Sequence, residues 1–192
     1  MLRRGFKSQC ERRSTELRKR LGLGPAEPLS AFDLADHVGV TVWSTAQVDG
    51  LGKADLAQLT RTDKESWSAF TLRIQDRHLI IFNSGQTEPR VNSVVMHELS
   101  HIMLGHELAS AGMTHDGHLI PSNYDQDQED EADWLGGTLL LPRPALLAIR
   151  LTGLTDDQAM FEYKVSREML TWRFRMTGVD YQLANARKKW AT

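Results

Sequence analysis

The chain has 192 residues and a mass of 21.7 kDa, with 41% hydrophobic residues and a formal net charge of -2. That balance belongs to a globular protein and excludes the disordered, fibrous and membrane-embedded classes; the near-neutral charge leaves no electrostatic footprint for bulk nucleic-acid binding. Its single cysteine, Cys10, excludes an internal disulfide and a thiolate-rich zinc site, so any metal must be held by His, Asp and Glu.

Residues 3–21 have helical composition and stop at Gly22-Leu23-Gly24-Pro25. Arg12, Arg13, Arg18, Lys19 and Arg20 alternate there with Glu11 and Glu16, which reads as a solvated helix face rather than a nucleic-acid patch. The positive charge of Arg3, Arg4 and Lys7 is not followed by an apolar stretch long enough for a signal peptide, and no run approaches a membrane span, which together with the lone cysteine gives the expectation of a cytoplasmic protein. Ser30 is placed to cap a second helix over 31–37, with Gly39 as its breaker, and a strand follows at 40–43. The polar stretch 50–64 has no clear period and reads as loop.

Two strand-like runs, 67–72 and 78–82, joined through Gln75-Asp76-Arg77, read as an antiparallel hairpin. The period then changes. Val91, Val94, Val95, Leu99, Ile102 and Met103 recur at three- and four-residue spacing, as in a buried amphipathic helix, with Thr87 as cap, Pro89 in the first turn and Gly105 at the end. Residues 108–123 read as a loop carrying glycine and histidine, 127–140 as helix closed by Pro142 and Pro144, and 155–190 as two or three helices with Ser166 as a cap between them.

The long helix carries the chemistry. His97 and His101, one turn apart, project from one helix face and can reach a single ion, while Glu98 lies on the adjacent flank, outside that ion's ligand set but within reach of a zinc-activated water as general base. His-Glu-x-x-His is the minimal zinc-hydrolase motif. It also occurs by chance, but a buried histidine pair with a glutamate between them is costly without a partner such as a metal. Catalytic zinc takes a third protein ligand. A third histidine six residues after the second is one common solution, but Glu107 stands there, with His106 one position short. The better supplier is the acidic helix Glu129-Asp130-Glu131-Ala132-Asp133-Trp134. On it Glu129 can bind zinc, Asp133 can accept a hydrogen bond from a ligand imidazole, and Glu131 points elsewhere. The apolar run from Trp134 to Leu141 drives this helix into the core and holds its acidic first turn near the histidines.

Arg90, His97-Glu98-Leu99-Ser100-His101, Gly105-His106, Glu129-x-Glu131-Ala132-Asp133-Trp134 and Leu139-Leu140-Leu141-Pro142 together resemble the ImmA/IrrE family of metallopeptidases. The likeness extends to Arg4-Gly5-Phe6-Lys7, to 29–42 and to Tyr163-x-Val165-Ser166. It implies an α+β, zincin-like fold of the gluzincin kind: a small antiparallel or mixed sheet packed on an active-site helix, followed by a helical C-terminal region. The expected division of the chain is a zincin-like peptidase domain over residues 1–150 and, over 151–192, a helical tail that could be helix-turn-helix-like, packed on the core or used for partner recognition. It further implies zinc, with manganese as the alternative, held by His97, His101 and Glu129, and Glu98 as catalytic base. The expected activity is that of a regulatory endopeptidase that cuts a partner protein, typically a helix-turn-helix repressor, to release gene expression in phage, mobile-element or stress-response circuits.

The substrate peptide is expected to add as a strand beside residues 78–82. Tyr124, His115 and His118 are the candidates, by chemistry alone, for stabilising the oxyanion. A competing reading takes Asp156-Asp157-Gln158 through Ser166-Arg167-Glu168-Met169-Leu170 as a helix-turn-helix, and the protein as a DNA-binding or metal-sensing regulator. Lys164 and Met160, where such a turn favours glycine and a small residue, argue against it.

Overall fold

In the computed structural model, residues 2–107, 110–113, 119–122 and 125–190 are described. Nine α-helices and five strands are found among them: α1 (Phe6–Arg20), α2 (Ala31–Val38), β1 (Thr41–Ser44), α3 (Lys53–Ala57), β2 (Ala69–Ile74), β3 (Arg77–Phe82), α4 (Glu88–Leu104), β4 (Ser110–Met113), β5 (Leu119–Ser122), α5 (Gln126–Leu140), α6 (Arg143–Thr152), α7 (Asp156–Tyr163), α8 (Arg167–Thr177) and α9 (Val179–Trp190). The class is α+β, as expected. None of these helices is long and apolar enough to cross a membrane.

The sheet is mixed. Its order is β1-β3-β2, with β1 parallel and β2 antiparallel to β3. The hairpin closes at Gln75-Asp76, where Gln75 adopts a left-handed φ of 56°. Pleating sends Ile80 and its partner Thr71 toward α4 and leaves Phe70, Leu72 and Ile74 on the outer, exposed face. Because β3 is flanked on both sides, the expected docking of a substrate strand beside 78–82 cannot occur: its main-chain groups are already paired within the sheet. The edge nearest α4 is β2 instead.

Two stretches read as loop contain structure. Residues 50–64 hold α3 and a π-helical turn, Gln58–Thr62, neither with a buried residue, so no amphipathic period could reveal them. They are held by local bonds such as Thr60 Oγ1 to the Leu56 carbonyl, 2.7 Å, and by Trp67 Nε1 donating to the Leu59 carbonyl, 3.2 Å. Within 108–123, β4 and β5 pair antiparallel, with Pro121 opposite Ala111. A proline in so short a run masks the strand signal. Helix α6 was also concealed by prolines that read as stops: Pro144 sits in its first turn, where the missing N–H is no loss.

Capping follows the sequence closely. Ser30 accepts from Phe32 N, 3.2 Å; Ser166 accepts from Met169 N, 3.2 Å; Thr155 and Gln158 form a reciprocal capping box. The buried cluster runs from Phe6 in α1 through Leu34, Ile80, Leu99 and Leu135 to Leu170 and Val179, so α7, α8 and the start of α9 share one core with the sheet and α4. Residue 150 falls inside α6.

The basic face of α1 is only partly solvated. Arg18 is 1% exposed and donates to the carbonyls of Glu27 and Leu139 and to Ser14 Oγ, while Arg13 reaches the Met103 carbonyl at 2.8 Å. Arg18 meets the Leu139 carbonyl in the last turn of α5 and Arg13 the Met103 carbonyl in the last turn of α4, groups a helix end leaves without an intrahelical partner, and Arg18 is drawn inside. Across the molecule, fully buried Arg173 donates to Glu11 Oε1, 2.9 Å, and to the Leu141 carbonyl, 2.9 Å, while the Arg143 amide donates to Glu11 Oε2, 3.0 Å. Glu11 thus ties α1 to α6 and α8. Glu11→Gln retains the shape but removes the charge that compensates a buried guanidinium, so unfolding in urea should show a loss of about 1–3 kcal/mol at constant m. An unchanged midpoint would mean that the pair contributes nothing net.

Candidate metal centre

Helix α4 is presented to the core by Val91, Val95, Met96 and Leu99, and its opposite flank carries His97, Glu98 and His101 beneath β2. Val94, read as core, instead faces a cleft. Asn92 pins the helix from below: its side-chain oxygen accepts from Ala31 N, 2.9 Å, and its amide donates to the Lys164 carbonyl, 3.1 Å. Helix α5 lies along α4, its residues from Trp134 to Leu140 all buried. Gly136 eases this approach, since a Cβ there would stand 3.3 Å from Ser100 Oγ, tighter than usual contact, and 3.6 Å from His97 Cα. The close approach delivers the acidic first turn of α5, begun by the Asp125 cap, to the two histidines.

His97 Nε2 and His101 Nε2 are 3.0 Å apart, and Glu129 presents one carboxylate oxygen 3.2 Å from the first and the other 3.5 Å from the second. Zinc bound tetrahedrally at about 2.0–2.1 Å requires its ligand atoms to be about 3.3 Å apart. The two imidazole nitrogens and the nearer carboxylate oxygen of each contact lie close to that value, the two carboxylate contacts being made by different oxygens; one donor atom from each residue lies within 4.8 Å of the others, and the nitrogen and oxygen donors suit the ion, so the residues fit a zinc centre. His97, His101 and Glu129 are the group that could hold a metal among the described residues. Asp133, one turn beyond Glu129, meets His97 Nδ1 at 2.9 Å.

The electrostatics are coupled. Burial works against charge on His97, but the Asp133 and Glu129 carboxylates outweigh it and hold the ring protonated up to about 10. Burial, and then the charge on His97, drive His101 down to about 4. Hydrogen bonding from His97 holds Glu129 below the usual carboxylate range despite its partial burial. Glu98 moves the other way: burial raises it, opposed by the Thr71 hydroxyl, which donates to Oε2 at 2.5 Å, and by His97. A carboxylate whose pKa is raised, beside a group of residues that could hold a metal, is suited to taking and returning a proton.

Clefts open on both sides of this centre. One of about 210 Å³ is lined by Ala69, Phe70, Thr71, Glu98, Glu129 and their neighbours; the other, of about 330 Å³, by Ser68, Arg90, Val94, Glu98, Gly136 and Met169 among others. The sequence-predicted residues His97, Glu98, His101, Glu129 and Asp133 therefore come together. Tyr124, His115 and His118 lie outside the described residues. Glu131 faces away from Glu129, as expected, but toward His106 and Arg3. His106, too near in sequence to fill the third-histidine position, rests on His101 Nδ1 at 3.0 Å. Thr71 was missed; the pleat that puts Phe70 and Leu72 outward, leaving one hydroxyl aimed at the helix, is the signal that could have found it. The face of α8 bearing Trp172 and Arg173 is used by the core, with Trp172 edge-on to Trp134 at 5.5 Å and against Gly137, so a recognition helix would have little of that face to offer DNA.

Two imidazoles and a carboxylate on packed helices, with a second carboxylate of raised pKa lining the same open cleft, define the metal-dependent hydrolases of the zincin type. The family model described as the IrrE N-terminal-like domain, Peptidase_M78, matches residues 56–175, more than half of the chain, and the chain belongs to that family. It is a metallopeptidase, a hydrolase acting on peptide bonds in a protein substrate. No curated protein matches the chain. The family match begins after α1, α2 and β1, although α1 packs on α5 and β1 completes the sheet beside β3.

Proposed function

We propose that the protein is a zinc-dependent endopeptidase of the gluzincin kind, acting in the cytoplasm, that cleaves a regulatory protein of the helix-turn-helix repressor class. The observation that carries the metal-dependent part is the convergence of His97, His101 and Glu129, with one donor atom of each within 4.8 Å of the others, in a cleft also lined by Glu98. The repressor class rests on the resemblance of the motifs.

His97, His101 and Glu129 would hold zinc, or manganese in its place. When bound, the ion supplies a Lewis acid that polarises a carbonyl and acidifies water. The rest is done by the chain. The edge of β2 away from β3, which pairs with no other strand among the described residues, offers main-chain donors and acceptors to an extended substrate, and Ala69, Phe70 and Thr71 border the cleft in which Glu98 sits. Thr71 holds Glu98 through Oε2, leaving Oε1 to accept the proton of the attacking water and later return it to the leaving amine. Asp133 fixes the orientation of the His97 ring.

The test is incubation of purified protein, with zinc or manganese, with a helix-turn-helix repressor encoded beside its gene. Discrete fragments by mass spectrometry, abolished by a chelator and restored by metal, are expected. An intact repressor at stoichiometric enzyme would sink the substrate assignment. A DNA mobility shift that persists after metal removal would favour a regulator instead.

A further inference from the structure

We propose that His106, Glu131 and Arg3 form a relay that positions His101 as a metal ligand, so that the segment preceding α1 helps set the metal affinity of the centre. The inference rests on the metal centre described above and assigns roles to three residues outside its ligand set. His97 has a direct partner for its second nitrogen in Asp133. His101 has a different one: its Nδ1 lies 3.0 Å from His106 Nδ1, His106 Nε2 lies 3.4 Å from Glu131 Oε2, and Glu131 Oε1 lies 3.2 Å from Arg3 Nε. A ring that binds a metal through Nε2 keeps its proton on Nδ1. His101 therefore donates to His106 Nδ1, and His106, with that nitrogen occupied as acceptor, carries its own proton on Nε2, where Glu131 accepts it. Each donor in this chain meets an acceptor, and the carboxylate at its end meets a guanidinium.

Burial makes the arrangement more than a surface contact. The side chain of His106 is 7% exposed and that of Glu131 18%, so neither can be satisfied by water alone. Position supports it as well. His106 follows the left-handed Gly105 that ends α4, and the His106 amide bonds to the His101 carbonyl at 3.1 Å, fixing the ring over its neighbour one turn back. Arg3 is more exposed but is set over the Phe6 ring, 5.2 Å from its centroid, at the start of α1. Loss of His106 would leave the His101 ring free to rotate about its side-chain bonds and would remove the acceptor that selects its metal-binding tautomer.

The experiment measures zinc dissociation constants by chelator competition, and visible absorption of the cobalt(II)-loaded protein, for wild type, His106→Leu, His106→Gln, Glu131→Gln and Arg3→Ala, alongside the thermal midpoints of the metal-free proteins. Loss of an orienting partner costs about 10- to 100-fold in affinity, and that range is expected for His106→Leu, together with a changed cobalt spectrum. His106→Gln retains an acceptor and a donor and should recover most of the loss. Glu131→Gln and then Arg3→Ala should show progressively smaller losses along the chain. If wild type binds zinc and His106→Leu binds it equally well with the same cobalt spectrum, the relay does not exist. If His106→Gln is as impaired as His106→Leu while both lower the metal-free midpoint, the residue is merely packing and the proposal is overturned. A wild-type protein that binds no zinc would sink the metal centre itself, and the relay with it.

Discussion

Glu98→Gln should lower the rate of peptide-bond cleavage by about 100- to 10,000-fold, the range contributed by a positioned general base, while zinc content stays at the wild-type level. The amide keeps the size of the side chain and can still hold Thr71 Oγ1 through its carbonyl oxygen, so the cleft should keep its shape. What it cannot do is accept a proton. The same reasoning fixes the sign of a pH effect. The base works only when ionised, burial has raised its pKa, and activity must therefore fall as pH drops through a value above the usual carboxylate range. The Thr71 hydroxyl opposes that rise, so Thr71→Val should move the acid limb of kcat/KM to still higher pH with little change in the plateau. Metal analysis and a pH-rate profile on the same preparations decide the matter. A Glu98→Gln enzyme retaining a substantial share of activity, with zinc bound, would assign the base elsewhere.

The centre was legible in the sequence to the extent that its chemistry is written in helical spacing. His97 and His101 at one turn, Glu98 beside them, and Glu129 and Asp133 at one turn on an acidic helix are relations within single elements, and the structure brings all five together. What spacing could not reveal are the relations between elements. Thr71 matters because β2 happens to cross above Glu98, and Gly136 because it lets α5 lie against α4; neither residue stands out alone. His106 and Glu131, read separately as a misplaced third histidine and a carboxylate pointing away, face each other only once α4 and α5 are docked. The strand error has a similar origin. The apolar run at 78–82 was expected to be an exposed edge, yet a run in which Leu79, Ile80 and Ile81 are all buried is what a central strand needs, and β1 supplies the second neighbour from far earlier in the chain. Arg18 and Arg173 show the same limit for charge: composition places them outside, and orphaned carbonyls plus Glu11 hold them in.

Glu129→Ala is expected to weaken zinc binding by more than the roughly 10- to 100-fold typical of orienting partners, because it removes one of the three proposed protein ligands rather than a group that steers one. Proton competition shapes the measurement. His97 is held protonated up to about 10 by Asp133 and Glu129, against the cost of burial, and binds an ion only as the neutral ring. Zinc uptake must then release that proton, and wild-type affinity should improve about tenfold for each unit of rising pH through the neutral range. Removing Glu129 takes away one of the two carboxylates that hydrogen-bond to the ring and stabilise its proton. The variant therefore loses a ligand but also faces less competition, and the two effects have opposite signs. Competition is strongest where protons are abundant, so the deficit of Glu129→Ala relative to wild type should be smaller at neutral pH and grow on the alkaline side, where the wild-type ring is freed of its proton and the missing carboxylate is felt in full. Titration with a zinc chelator at several pH values checks both the size and the trend. Stoichiometric zinc at wild-type affinity across that range would mean that the third ligand is another residue, and that Glu129 serves only to hold the proton on His97.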